Sequence, residues 1–266
     1  MNDLNARIEQ ISALPPLPES FTKIQQVAND PFSSIKEIAE VIQIDPLLQA
    51  NILKFANSPV YGLKEHVNTI QQAISLFGIS SIVGFAMAQA IQHTIPVDFS
   101  PYSITSSRFM EIATMQNALA LAWKEGLSSA ERDILLTSSF LMGIGSLLIA
   151  DYLSRENLVA DFQKALREHT LLEAETMLCG FTHLEISAAM FEAWGFDTQI
   201  SDAIRKSGLD TIEDEISGRL AVITAALNLK ENLSKESLSA ASKRAGELGL
   251  NGEYFEQIAQ KLNESI

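Results

Sequence analysis

Four histidines, one cysteine and a few close acidic pairs are the side chains here that could carry acid–base, nucleophilic or metal chemistry. The histidines are His66, His93, His169 and His183. None stands three or four residues from another, the spacing that lets one helix face grip a metal with two imidazoles. His183-Leu184-Glu185 matches the first half of a zinc-deaminase signature, but the Pro-Cys-x-x-Cys half is missing. Cys179 precedes His183 by four residues, which would allow a thiolate–imidazole pair on a continuous helix. Gly180 is expected to break that helix, so Cys179 is read as a small buried thiol. Glu37/Glu40 and Glu173/Glu175 are assigned to polar helix faces and read as solvated charges, because an acid–base dyad needs a partly buried pocket. Gly143-Ile144-Gly145-Ser146 has neither the lysine nor the spacing of a phosphate loop. It is read as small residues inside an apolar helix that let another helix approach. No Gly-x-Ser-x-Gly nucleophile elbow occurs.

The elements that must position these groups are helical. Ile35, Ile38, Ala39 and Ile42 recur with helical period, and Ser34 with Glu37 forms a capping box ahead of them. Asp45 and Pro46 open the next helix as N-cap and first residue, and Asn57-Ser58-Pro59 closes it. Further helices are predicted over residues 69–77 and 80–95, separated at Gly78, then over 105–125 and 129–153. The second half continues with 157–168, 172–178, 183–194, 198–206, 213–231, 235–248 and 253–264. No strand pattern is found. The reading is one all-α domain over 1–266, with a seam at Pro96 to Pro101 between a helical layer of about 1–100 and a bundle of about 101–266.

Composition narrows the function classes. The chain has 266 residues, 19 basic and 33 acidic, for a formal charge of −14. Such a chain repels phosphate backbones and has no basic stripe for an anionic membrane, so neither nucleic acid nor membrane is an expected partner. One cysteine excludes a disulfide framework and multi-Cys metal sites, and it fits a reducing, cytoplasmic setting. The opening MNDLNARIEQ lacks a basic and then apolar leader, so no secretory signal is expected. Residues 66–97 and 134–150 carry no Asp, Glu, Lys or Arg. The first stretch is laced with Asn, Gln and Ser and the second is short, so both are read as core helices of a soluble bundle.

Leu14-Pro15-Pro16-Leu17-Pro18 resembles the opening of the HDOD family, the HD-related output domains of bacterial signalling proteins. The same resemblance runs through Asp45-Pro46-Leu47-Leu48, the run from Ile52 to Gly62 that contains Asn57-Ser58-Pro59-Val60-Tyr61, and Ile70-Gln71-Gln72-Ala73 onward to Gly78. It is strongest over about 65 residues, in order and spacing, and extends loosely to about residue 230. It implies an N-terminal helical layer on an HD-like bundle, related to HD phosphohydrolases that hold metals with His and Asp side chains. On that resemblance the first His falls at Ile112, the His-Asp pair at Met142-Gly143, a third His at His183, a later His pair near Ser207-Gly208, and the late Asp at Thr224. Only His183 retains a ligating side chain. A lone imidazole cannot supply the ligand count needed to activate a metal-bound water. The expected function is therefore a non-catalytic regulator that binds another signalling protein, with no cofactor. Asp45, Asn57 and Tyr61 are its candidate surface residues. The resemblance also suggests signalling that involves cyclic di-GMP, though an acidic chain is not expected to bind that anion directly. The alternative is an HD-type metal-dependent phosphohydrolase acting on a nucleotide or cyclic dinucleotide, with a relocated site that would enlist Asp151, His169, His183 and Glu185. A small-molecule sensor built on the vacated metal pocket is a third reading.

Overall fold

The computed structural model of the chain describes residues 19–28, 30, 33–94 and 98–264. The motif at 14–18 and Pro96 lie outside them. Among the described residues the fold is all-α, with no strand.

Helices α1 (Glu19–Ala28), α2 (Ile35–Gln43), α3 (Pro46–Ala56) and α4 (Ile70–Thr94) make the N-terminal layer. Their starts follow from short polar side chains that satisfy the first free backbone N–H groups. The Ser34 hydroxyl accepts from Glu37 N–H while the Glu37 carboxylate accepts from Ser34 N–H. Asp45 Oδ1 accepts from both Leu47 and Leu48 N–H at 3.0 Å. A 3-10 turn at Pro59–Tyr61 follows α3. Within α4, Gly78 adopts φ 83°, a left-handed value open to glycine, so the helix is broken where the sequence predicts.

The bundle comprises α5 (Ser106–Ala122), α6 (Ser129–Leu141), α7 (Ser146–Arg155), α8 (Val159–Glu168), α9 (Leu171–Cys179), α10 (His183–Ala193), α11 (Thr198–Lys206), α12 (Glu215–Ala226), α13 (Lys235–Glu247) and α14 (Gly252–Glu264). The layer meets the bundle where α4 packs on α6. There Phe55, Phe85 and Phe140 gather, with ring centroids 4.6 to 5.9 Å apart. Tyr61 and Phe77 extend the cluster at 4.5 Å. One buried apolar core runs from Ile24 to Ala259 across the expected seam at 96–101.

Two helix expectations fail: the helix predicted over 213–231 ends at Ala226, where Leu227 is extended, and the helix predicted over 129–153 is broken. The sequence predicts a single helix over 129–153, but α6 ends at Leu141 and α7 begins at Ser146, with a tight turn over 142–145. Apolar periodicity continues through the break, so it gives no warning. The break lets the Gly145 backbone sit against α10, where even one methyl group would collide. A Cβ there would stand 2.2 Å from the His183 carbonyl oxygen and 2.7 Å from the Ser187 nitrogen. The small residues do permit close approach, as expected, but from a turn and not from within a helix.

Residues 70–91 and 129–155 are long and apolar enough to cross a membrane by length and composition. In the fold 56% and 78% of their apolar windows are buried, as in core helices of a soluble domain, and the second is interrupted by the turn.

Candidate functional site

The turn at 142–145 and the first turns of α10 are bolted together by one serine. Ser187 donates its hydroxyl to the Met142 carbonyl at 2.8 Å and accepts from Gly145 N–H at 2.7 Å. From α12, the Thr224 hydroxyl lies 3.5 Å from the Met142 sulphur. From α5, the Phe109 ring lies 3.7 Å from where a Cβ on Gly143 would stand, and Ile112, one turn further along, is 3% exposed. The fold thus gathers Met142, Gly143 and Thr224 at one place in the core, with Phe109 beside them. Aliphatic carbon, a thioether and one hydroxyl form a poor set for a hard or borderline cation. Ser207 and Gly208, the other implied position, stand just past the end of α11. Gly208 packs on Leu184, and the Ser207 hydroxyl donates to the Ile204 carbonyl at 2.7 Å.

His183 is buried and its ring is engaged. Nδ1 is 2.8 Å from Glu175 Oε2, the same oxygen accepts from His183 N–H at 2.8 Å, and the Tyr102 hydroxyl donates to Oε1 at 3.0 Å. Three donors therefore converge on one carboxyl group that has no solvent exposure. This corrects the reading of Glu175 as a solvated charge. Glu173 and Glu175 are two residues apart, about 200° around a helix, so they cannot share a face. Glu173 closes the capping box with Thr170 at the surface. Glu175 falls in line with buried Leu171 and Ala174, and that i, i+3, i+4 pattern is the signal in the sequence that was missed.

The other residues singled out by sequence have structural partners. Glu185 accepts from Thr182 N–H at 2.8 Å and belongs to a capping box. Asp151 is ion-paired to Arg155, and the His169 carbonyl accepts from Lys230 Nζ at 2.8 Å. These groups do not assemble with His183. Among the described residues no three His, Cys, Asp or Glu side chains come together as a metal cage. Cys179 is buried, as expected, and Glu175 is the group that holds the His183 ring. Asn57 is used inside the fold. Its amide donates to Leu53 and Val67 carbonyls and its carbonyl accepts from Val67 N–H at 2.8 Å, which pins the loop after the 3-10 turn. Tyr61 turns its hydroxyl inward toward Asn117 Oδ1, 3.3 Å away. Of the three candidate surface residues, Asp45 is flanked by the two most exposed apolar side chains of its layer, Ile44 and Leu47, and Tyr61 is followed by exposed Leu63.

Burial raises the Tyr61 hydroxyl pKa well above the usual value of about 10, and burial followed by the neighbouring Glu175 does the same at Tyr102. The folded chain thus holds these phenolic protons more tightly than the unfolded chain. Their contribution to stability is complete below pH about 10 and is lost as pH rises beyond it. Urea unfolding midpoints are expected to hold up to about pH 10 and then drop. Ionisation of all four tyrosines at about pH 10 in the folded chain, followed by ultraviolet absorbance while circular dichroism stays unchanged, would contradict this.

With the geometry in hand, comparison with known proteins is informative. The family model for the HDOD domain matches residues 14–208, and the chain belongs to the HDOD domain family. Solved structures of similar fold include a protein named for signal transduction from Marinobacter aquaeolei VT8, at 20% identity and TM-score 0.70. That match covers 99% of this chain and 62% of the other, so this chain spans less than two thirds of that neighbour. A protein named as a candidate phosphohydrolase from Shewanella amazonensis SB2B matches at 21% identity and TM-score 0.65, covering 96% and 92% of the two chains. An HDOD domain protein with unknown function from Geobacter sulfurreducens matches at 17% identity and TM-score 0.62, covering 99% of each. At these identities the likeness is one of fold. No curated protein matches the sequence.

Proposed function

We propose that this chain is a non-catalytic, cytoplasmic signal-transduction module that acts by docking another signalling protein on its helical surface. The observation that carries this reading is the identity of the side chains at the implied metal positions. Ile112, Met142, Gly143 and Gly208 supply no side-chain oxygen or nitrogen, the Thr224 hydroxyl faces a thioether, the Ser207 hydroxyl donates to the Ile204 carbonyl, and His183 is the one ligating side chain left. Docking is supported by Ile44, Leu47 and Leu76 of the N-terminal layer, which leave 70%, 60% and 52% of their surface exposed. The reading is tested by following release of nitrophenolate from bis(p-nitrophenyl) phosphate, with Mn²⁺, Fe²⁺ or Mg²⁺ added to the pure chain. No turnover above the metal-only rate is expected. Saturable turnover that disappears in His183→Ala would contradict it.

One arrangement favours the second reading, a metal-dependent phosphohydrolase. A carboxylate at one ring nitrogen, as Glu175 provides for His183, is how proteins orient a ligating imidazole. The same assay decides between the two readings.

A further inference from the structure

The chain carries an excess of acid, 33 acidic against 19 basic residues, yet one cavity is lined by cations alone among its charged groups. Arg108, Arg167 and Lys230 face it, and no Asp or Glu does. Its volume is about 390 Å³, within the range of small-molecule sites.

Four segments build it, the first being the 3-10 turn and loop before α5, which supply Tyr102, Ser103 and Ile104. Arg108 and Ile112 come from one face of α5, and Gln163, Leu166 and Arg167 from one face of α8. Leu229, Lys230 and Asn232 come from the loop after α12. The polar groups are held in place. Arg108 Nη2 donates to Asn232 Oδ1, Lys230 Nζ donates to the His169 carbonyl, and Gln163 Nε2 donates to the Ser100 carbonyl at 2.9 Å. Long basic side chains are normally well exposed, but those of Arg108 and Lys230 are only 33% and 27% exposed. Arg108 is paired with Glu111 and Lys230 with Glu231, while Arg167 has no ion-pair partner among the described residues. Two of the three lining cations are thus ion-paired, and the carboxylates that pair them lie outside the lining. Ile104, Leu166 and Leu229 add apolar wall.

We infer that this cavity binds a small organic phosphate monoester, its dianion held by Arg108, Arg167 and Lys230 and its carbon skeleton laid against Ile104, Leu166 and Leu229. The chemistry fits because planar guanidinium groups meet phosphate oxygens with paired donors and an ammonium adds a point charge. The inference is one of binding and not cleavage, and it stands whether or not the chain hydrolyses anything. Net charge misleads here, because screening confines each charge to a radius of about 10 Å and the cavity responds to its own walls.

The test is calorimetric titration of the full chain at about 0.1 M ionic strength with AMP, inorganic phosphate, adenosine and succinate. AMP is expected to saturate one site, inorganic phosphate to fill the same site more weakly, and adenosine and succinate to give no saturable heat. Arg167→Gln and Lys230→Gln are each expected to weaken AMP binding by about ten-fold or more, as for loss of a charged hydrogen bond. Lys243→Gln, on α13 and away from the lining, is the control and should leave affinity unchanged. Thermal melts of each variant verify that the fold is retained. Absence of saturation by AMP, an affinity insensitive to Arg167→Gln, or equal loss in Lys243→Gln would each overturn the proposal. Succinate binding as tightly as AMP would overturn the phosphate assignment.

Discussion

Glu175→Ala is expected to destabilise the fold by about 3–5 kcal/mol, the cost of leaving several buried polar groups without their shared partner. The loss exceeds that of one hydrogen bond because three donors are stranded together: His183 N–H, the His183 ring and the Tyr102 hydroxyl. Two of them belong to the first residue of α10, and the third fixes the 3-10 turn at Ser100–Tyr102 against α9. Glu175→Gln keeps the shape and one acceptor oxygen, so it should fall between wild type and alanine. Chemical unfolding with a common m-value measures both. A loss below about 1 kcal/mol in Glu175→Ala would mean that water or a rearranged side chain replaces the carboxylate, and the network would be incidental.

The second large effect is expected at Gly145. Adding a methyl group brings a carbon within 2.2 Å of the His183 carbonyl oxygen and 2.9 Å of the Ile186 Cβ, both on the backbone or stem of a packed helix that cannot swing aside. Separating α10 from the turn also strains the Ser187 bridge. Overpacking of this kind costs about 1–3 kcal/mol, and the backbone contacts put Gly145→Ala at or above the top of that range. Gly143→Ala, two residues away, meets nothing closer than the Phe109 ring at 3.7 Å and is expected to stay within about 0.5 kcal/mol of wild type, as for a substitution without a steric cause. Equal stability of the two variants would contradict the close approach. The pair also separates packing from chemistry, since both residues lie in the turn at 142–145, where the resemblance implies the lost His-Asp pair.

Helix starts were the most legible feature of the sequence, because a cap is a local agreement between two residues three apart. Ser34 with Glu37 and Asp45 with Pro46 are found as predicted. Breaks driven by local backbone preference, such as Gly78, were equally readable. The turn at 142–145 was not, because its cause is a distant helix lying against Gly145, and no local signal records that contact. Glu175 was hidden by a category, a carboxylate near another carboxylate, although the phase of α9 placed it among apolar neighbours. The cation-lined cavity had no local signature at all. Arg108, Arg167 and Lys230 are far apart in sequence, and the overall charge of −14 argued against an anion site. The implied metal positions were identified by resemblance, and the fold brings Met142, Gly143 and Thr224 together in the core.

Metal binding by the intact chain is the most direct test of non-catalytic action. Protein purified without chelator is assayed for Mn, Fe and Zn and then titrated with Mn²⁺, wild type beside His183→Ala. The expected result is a substoichiometric metal content and identical, weak and unsaturable heats for both proteins, because Met142, Gly143, Ile112 and Thr224 offer a cation too few donors. One equivalent of metal per chain, bound tightly and lost in His183→Ala, would contradict that result and move the chain among the hydrolases.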